Sequence, residues 1–355
     1  MTKKEIMQVL ACGQSDFLAE VYARAYKVKQ KYVGNKVYFR GIIEFSNICT
    51  KDCLYCGIRR SNKSLNRFLM PKKEIIETAL MAHRAGYGSI VLQSGERSDD
   101  EFVSFIEDIL RSIKKLTNNT LGVTLSLGEQ SFKVYKRWFD AGAHRYLLRI
   151  ETSNKQLYQR IHPDNHDYDI RLGCLKALRD IGYQVGTGVM IGLPYQELED
   201  LLGDILFFQK YDIDMIGMGP YIVHNNTPLA ESNRIDLDKN FNLGLKMIAL
   251  ARLYLKDINI AATTALQALD ESGREKGLKA GANIIMPNIT PRKYRDDYQL
   301  YDGKPCIHED ALTCKSCLKK RILSVGEEIG YNQWGDSPHF FKHRNPIDKR
   351  VAKVL

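Results

Sequence analysis

No apolar run among the 355 residues approaches the roughly 20 needed to cross a bilayer, so no membrane span is expected. The stretch MTKKEIMQVLACGQ lacks a long apolar core and a cleavage site, so no secretory signal is read and a cytoplasmic location is expected. Low-complexity segments and clear flexible linkers are missing. So are an RNA-binding module and any interleaving of aromatics with a basic stripe. The net charge of +10 therefore reads first as a solvated basic surface. An anionic substrate or an acidic protein partner is the sharper alternative. Neither a nucleic-acid nor a membrane partner is expected.

What is present is alternation. After a helical opening, with Phe17, Leu18, Val21, Tyr22 and Tyr26 at helical spacing and Ser15 as N-cap, short apolar runs alternate with longer amphipathic stretches. The spacing predicts strands over 37–45, 89–93, 122–127, 145–150, 184–191, 214–218, 258–262 and 282–286. Helices are predicted over 72–85, 100–116, 131–141, 168–181, 197–211, 240–255 and 267–280. Gly86, Gly142, Gly182 and Gly281 stand where helices should stop. Continuous apolar strands alternating with helices imply a parallel sheet covered by helices. Eight such units point to an α/β fold of the (β/α)8 TIM-barrel type. The open doubly wound alternative usually shows a Gly-rich turn after its first strand, and that turn is absent. The expected organisation is an N-terminal helical segment (1–36), the barrel (37–289) and a C-terminal extension (290–355) packed on or near the barrel mouth.

Barrel enzymes carry function at the C-terminal ends of their strands. The first strand runs into Cys49, Cys53 and Cys56, spaced CxxxCxxC. Three thiolates in one loop suit an iron–sulfur cluster, and because such clusters commonly take four cysteines, one iron stays open for a small molecule. A structural zinc site, the alternative, wants four ligands and a closed shell. The other strand ends supply Gln93, Ser94, Gly95 and Glu96; Thr124 and Ser126; Arg149 and Glu151; Met190; Met215 and Tyr221; and Thr263 with Thr264. A purely structural barrel does not need such a rim.

The CxxxCxxC motif, with Tyr55 just before its last cysteine, resembles the signature of the radical S-adenosylmethionine (SAM) superfamily. The resemblance implies a 4Fe–4S cluster on Cys49, Cys53 and Cys56 whose open iron is chelated by the amino and carboxylate groups of SAM. One electron then breaks a carbon–sulfur bond to give a 5′-deoxyadenosyl radical, chemistry that the cofactor carries and the protein positions. By the same resemblance Tyr55, Gln93, Ser94, Gly95, Thr124, Glu151, Arg171, Met190 and Met215 are SAM contacts. Ser94-Gly95-Glu96 would face the methionine amino group, the segment 188–194 the adenine, and Arg171 the SAM carboxylate. Glu151 would hold the ribose hydroxyls or the methionine nitrogen; a strand-end salt bridge with Arg149 is its plainer reading.

The runs YFRGIIEFSN (38–47), CLYCGIRR (53–60), VLQSGE (91–96), TLSLGE (124–129), RYLLR (145–149) and AATT (261–264) are similar to the HydE family of FeFe-hydrogenase maturases. That family implies a role in assembling the hydrogenase's diiron subcluster. The implied substrate is an organometallic iron species with carbon monoxide, cyanide and cysteine ligands, delivered by another maturase. A low-potential electron donor is implied as well. Arg149, Thr263 and Thr264 would bind an anionic ligand or the cysteine carboxylate, and Tyr298 and Tyr301 would help close the cavity or merely pack the extension. A second set, Cys306, Cys314 and Cys317, could hold an accessory 2Fe–2S or 4Fe–4S cluster completed by His308 or an exogenous ligand; a zinc knuckle or free thiols are the alternatives. Biotin synthase, which uses further cysteines inside the barrel, is disfavoured because strands two to eight end in none. Methylornithine synthase, an iron–sulfur or zinc scaffold and an RNA-modifying enzyme complete the alternatives.

Overall fold

Apolar and β-branched residues dominate the segments that pair in the computed structural model, which describes residues 1–231, 236–307 and 311–342, with the side chains of 311–314 outside that description. Among the described residues, eight parallel strands form a closed barrel: Lys36–Ser46 (β1), Ser89–Ser94 (β2), Gly122–Ser126 (β3), Arg145–Leu147 (β4), Gln184–Thr187 (β5), Met215–Ile216 (β6), Asn259–Ala262 (β7) and Ile284–Ile285 (β8). Closure is explicit in the register, since Tyr38 of β1 stands opposite Ile284 of β8 while Arg40 stands opposite Ser89 of β2. Each strand has a neighbour on both sides, so the barrel leaves no open edge.

Helices Lys3–Ala11 (α1), Ser15–Tyr32 (α2), Lys72–Arg84 (α3), Asp100–Leu116 (α4), Phe132–Asp140 (α5), Lys155–Ile161 (α6), Tyr168–Ile181 (α7), Leu198–Lys210 (α8), Leu237–Leu255 (α9), Thr264–Leu269 (α10) and Gly273–Lys279 (α11) pack around it. The α4 helix shows why. Asp99 caps it by accepting the Phe102 N–H, and Phe102, Val103, Ile106, Ile109, Leu110 and Ile113 form one buried stripe. No helix among the described residues is long and apolar enough to cross a membrane.

The differences from expectation have local causes. Ser15 is the first residue of α2 and its hydroxyl turns to Asp16; the working cap is Thr2, in a capping box with Glu5 at the start of α1. The helix expected over 267–280 is two helices, because Asp270 accepts the Ser272 N–H and turns the chain between α10 and α11. The run 184–191 divides into β5 and the short strand Met190–Ile191, which leaves the barrel ladder to pair with Gly219–Pro220.

The C-terminal residues serve both ends of the barrel. Residues 290–304 cross the mouth. The later part runs to the opposite face, where Glu328–Ile329 extends the sheet beside Lys36 and Val37. There Asp336 meets the Arg145 guanidinium at 2.6 Å, Gln184 at 3.0 Å and His144 at 3.4 Å, while Gly335 O receives Arg40 at 3.1 Å and Asn259 at 2.8 Å. The segment floors the barrel.

One buried acid outside both faces yields a stability prediction. Asp204 of α8 is fully buried; Oδ1 accepts the Ser153 N–H at 2.7 Å, and Oδ2 has no partner among the described residues. Burial pushes its carboxyl up to about 7. The folded protein therefore holds a proton that the unfolded chain releases above 3.8, so this group costs stability as pH rises from 3.8 to about 7. Asp204→Asn should flatten that decline and stabilise the protein at pH 8 by up to about 4 kcal/mol in a denaturant titration. Equal stability of the two proteins at pH 8 would contradict it.

Candidate active site at the barrel mouth

The loop after β1 carries the three cysteines and is pinned from several sides. Arg67 donates to the carbonyls of Asn47 (2.6 Å), Ile58 (2.8 Å), Arg59 (2.6 Å) and Asn62 (2.9 Å), holding the loop as one unit. The end of β2 closes on it at Gly95. A Cβ there would lie 2.4 Å from Ile48 O and 2.8 Å from the Cys49 Cβ, so only glycine permits the approach. The Thr50 N–H reaches Glu96 O at 2.9 Å and the Glu96 N–H reaches Cys49 Sγ at 3.3 Å.

All three thiols face one cavity of about 330 Å³. Burial raises the Cys49 thiol, pushes Cys53 up to about 12, and carries Cys56 well above the usual thiol range, with the neighbouring thiols adding to the shift at Cys53 and Cys56. Left alone, such thiols keep their protons. A cationic iron centre reverses that preference, because it offsets both the desolvation and the mutual repulsion of the thiolates. The donor set and its burial therefore fit an iron–sulfur cluster on Cys49, Cys53 and Cys56.

Around the cysteines lies a charged network that the sequence did not announce. Glu129 accepts Arg171 Nε at 2.6 Å and Lys51 Nζ at 2.9 Å; Lys51 also pairs with Glu96 at 3.3 Å. Burial alone would raise the Glu129 carboxyl, yet the charge and hydrogen bond of the Arg171 guanidinium carry it well below the carboxylate range. Arg171 further donates to Arg149 O at 2.5 Å and approaches His166 Nε2 at 2.6 Å. Arg171, Glu96, Ser94, Gly95, Gln93, Tyr55 and Met190 all line the cysteine cavity.

Glu151 also lines the cavity, with φ at 65°, a left-handed conformation unusual for a non-glycine residue. Its carboxylate receives Arg149 Nε on both oxygens at 3.0 Å, so the strand-end salt bridge is present. Its own backbone is tied to the 188–190 segment by Glu151 N–H to Gly188 O and Met190 N–H to Glu151 O, each at 2.9 Å. Strain held by two ladder bonds and a salt bridge is a feature of built sites.

Two of the expected cofactor contacts are elsewhere. Thr124 and Met215 lie on inward-facing positions below the mouth and border a void of about 20 Å³ deeper in the barrel, where Met215 Sδ receives Arg40 Nη1 at 2.9 Å. Each stands two positions before a residue that does line the cysteine cavity, Ser126 and Gly217, and so sits a layer lower in the barrel. On the opposite wall of the mouth, Arg149, Thr263, Thr264, Tyr298 and Tyr301 share the cysteine cavity. The Thr263 and Tyr221 hydroxyls have no hydrogen-bond partner among the described residues. Tyr298 is buried and its hydroxyl accepts Gln93 Nε2 at 3.3 Å, so it both packs the extension and faces the cavity.

Lys304, from the strap across the mouth, pairs with Glu44 at the end of β1 at 2.5 Å, both side chains buried. Sequence reading missed His166, Glu129, Lys51, Glu44 and Lys304. Only the His162 and His166 pair, four apart in HPDNH, offered a local signal. Of the second cysteine set, Cys306 is half-buried with φ at 63° and Cys317 is exposed and receives Arg321 Nε at 3.4 Å. The Cys314 side chain and His308 lie outside the described residues.

Residues 43–208 match the model of the radical SAM superfamily. Over 342 residues the chain is 45% identical to the FeFe hydrogenase maturase subunit HydE of Thermotoga maritima, covering 96% of this chain and 95% of that one. The fold is similar to the crystal structure of methylornithine synthase, with a TM-score of 0.77 at 24% identity over 93% of this chain and 94% of that one. It is similar also to the FeFe-hydrogenase maturase HydG of Carboxydothermus hydrogenoformans, with a TM-score of 0.80 at 21% identity over 96% of this chain and 78% of that one.

Proposed function

The chain belongs to the HydE family of radical SAM enzymes, and from that premise we propose that it cleaves SAM reductively at the barrel mouth in order to build the diiron subcluster of an FeFe hydrogenase. The observation that carries the proposal is convergence: three thiols, a charge-balanced strand-end glutamate and a buried arginine line one cavity of about 330 Å³. When bound, the cluster supplies the electron for cleaving SAM to a 5′-deoxyadenosyl radical.

The protein's own residues bind, orient and exclude water. Gly95 lets β2 approach the cysteine loop, and Ser94 and Glu96 present polar groups beside it. Arg171 offers positive charge to the SAM carboxylate, held in place by Glu129 and Arg149 O. Glu151 offers acceptors to the ribose hydroxyls or the methionine nitrogen from its strained, fixed position. Met190 and Tyr55 supply apolar walls. Arg149 and the hydroxyls of Thr263 and Thr264 are the proposed contacts for an organometallic iron substrate bearing carbon monoxide, cyanide and a cysteine carboxylate. The unpartnered Thr263 and Tyr221 hydroxyls support that reading, because buried hydroxyls left open are costly without a ligand. Tyr298 and Tyr301 would close the cavity. The proposed partners are a low-potential electron donor in the cytoplasm and a second maturase that delivers the substrate. A second cluster on Cys306, Cys314 and Cys317 is part of the proposal.

Anaerobically reconstituted protein given SAM and dithionite should release 5′-deoxyadenosine, and addition of the iron–carbonyl–cyanide–cysteine species should accelerate release and consume that species. Indifference to it would remove the maturation assignment while leaving SAM cleavage intact. Arg149→Gln should weaken binding of the organometallic species roughly 10- to 100-fold, the cost of a charged hydrogen bond, with uncoupled SAM cleavage persisting. Unchanged substrate affinity would take Arg149 out of this role.

A further inference from the structure

We propose that His166 donates its Nδ1–H to the Cys53 sulfur and thereby raises the reduction potential of the cluster on Cys49, Cys53 and Cys56; this rests on the cluster reading above.

The tautomer follows from the neighbours. A guanidinium carries donors only, and Arg171 Nη2 lies 2.6 Å from His166 Nε2, so Nε2 offers its lone pair. Arg171 cannot turn away, because Nε is held by Glu129 Oε1 at 2.6 Å and Nη1 by Arg149 O at 2.5 Å. Glu129 Oε1 also lies 3.2 Å from His166 Nε2, but an N–H on that nitrogen would face the Arg171 donor at 2.6 Å, a clash of two donors at the shorter distance. The ring proton is then on Nδ1, and Nδ1 is 3.7 Å from Cys53 Sγ, within reach of a hydrogen bond to sulfur.

The nearby His162 does not compete. Its Nδ1 donates to Tyr158 O at 2.9 Å, which leaves Nε2 to accept the Tyr55 hydroxyl at 3.2 Å. His166 is nearly inaccessible, with its side chain 1% exposed, and it packs edge-on against His162 and Tyr158.

Reduction adds negative charge that spreads onto the sulfurs. A hydrogen bond aimed at a sulfur stabilises the reduced form more than the oxidised one and raises the potential. Cys49 already has such a bond from the Glu96 N–H at 3.3 Å, a backbone donor that side-chain changes other than to proline leave in place. The donor to Cys53 is a side chain and is therefore adjustable by mutation. Its position is set by the Glu129–Arg171 pair, the same pair proposed to meet the SAM carboxylate, so the two sites share one scaffold.

The test is an EPR-monitored redox titration of the reconstituted full chain without SAM. His166→Leu removes the donor and should reduce the cluster's reduction equilibrium against a fixed reductant about tenfold, a shift of about 59 mV to lower potential. His166→Gln keeps an N–H and should stay within about threefold of the parent, or roughly half that shift. A leucine variant within about threefold of the parent would overturn the proposal. If the leucine variant assembles no cluster, the parent protein decides. With histidine labelled by 15N, the reduced cluster should show a weak nitrogen hyperfine coupling that disappears in labelled His166→Gln. Absence of that coupling in the parent would equally overturn it. A parent protein that assembles no four-iron cluster at all would strike the cluster reading instead.

Discussion

Cys53→Ser is expected to empty the mouth of its iron and to lower reductive SAM cleavage by at least about three orders of magnitude, as loss of one member of an obligatory unit does. The three cysteines share one cavity, and the cluster would draw one thiolate from each, with no spare thiol in its lining among the described residues: Cys12 and Cys174 are on α1's C-cap and α7, away from it. A serine hydroxyl is far less acidic than a thiol and a much harder ligand, so it does not replace a buried thiolate. The fold should survive, because Cys53 is on the cavity wall and outside the main apolar core. The same variant separates the cluster from zinc. His166 Nδ1 is 3.7 Å from Cys53 Sγ, so a three-cysteine, one-histidine zinc site is chemically imaginable at this position. Iron, sulfide and zinc analysis of anaerobic parent protein, followed by 5′-deoxyadenosine release from parent and variant, distinguishes the two. Zinc alone in the parent, or undiminished cleavage by Cys53→Ser, would defeat the cluster.

The barrel and its cysteine loop were legible because both are local patterns. β1 and α4 each carry many residues with the right period, and CxxxCxxC needs only its own spacing. β6 and β8 were placed correctly but are only two residues long in the structure, since short barrel strands drift out of the ladder where the mouth loops begin. The pairs that shape the site are of another kind. Cys53 and His166 are 113 positions apart, Arg145 and Asp336 191, and Glu44 and Lys304 260. Periodicity states which face of an element is buried and is silent on which charge will lie opposite. Nothing local to Glu44 or Lys304 names the other as its partner until closure of the barrel brings the strap over β1. Thr124 and Met215 show the complementary limit: their strands and inward faces were readable, but the layer depends on how the barrel staggers.

The strap itself gives the second large effect. Lys304→Met should destabilise the protein by about 3 kcal/mol, because it leaves the Glu44 carboxylate buried without its cation. Glu44 has side-chain exposure of 4% and Lys304 of 8%, so water screens little of the loss. Asn288 Nδ2, donating to the other Glu44 oxygen at 2.9 Å, keeps the cost at the lower end of the range for broken buried pairs. Lys304 also donates to Tyr298 O at 3.1 Å, and the strap is otherwise held by Asn47 Nδ2 to Asp297 O (2.7 Å), the Gly57 N–H to Leu300 O (3.1 Å) and the Asp302 N–H to Val223 O (3.0 Å). Those bonds remain in the variant, so the strap should loosen around Tyr298 and Tyr301 without detaching. Two measurements then move together: the melting temperature falls by roughly 5 °C or more, and more 5′-deoxyadenosine is released per substrate consumed as water enters the cavity. Glu44→Gln in the same chain removes the stranded charge and should restore much of the stability, a positive coupling in the double-mutant cycle. It should not restore the coupling of cleavage to substrate, since the tie to Tyr298 O is still missing. Additive losses in that cycle would mean that the buried pair is not what holds the strap down.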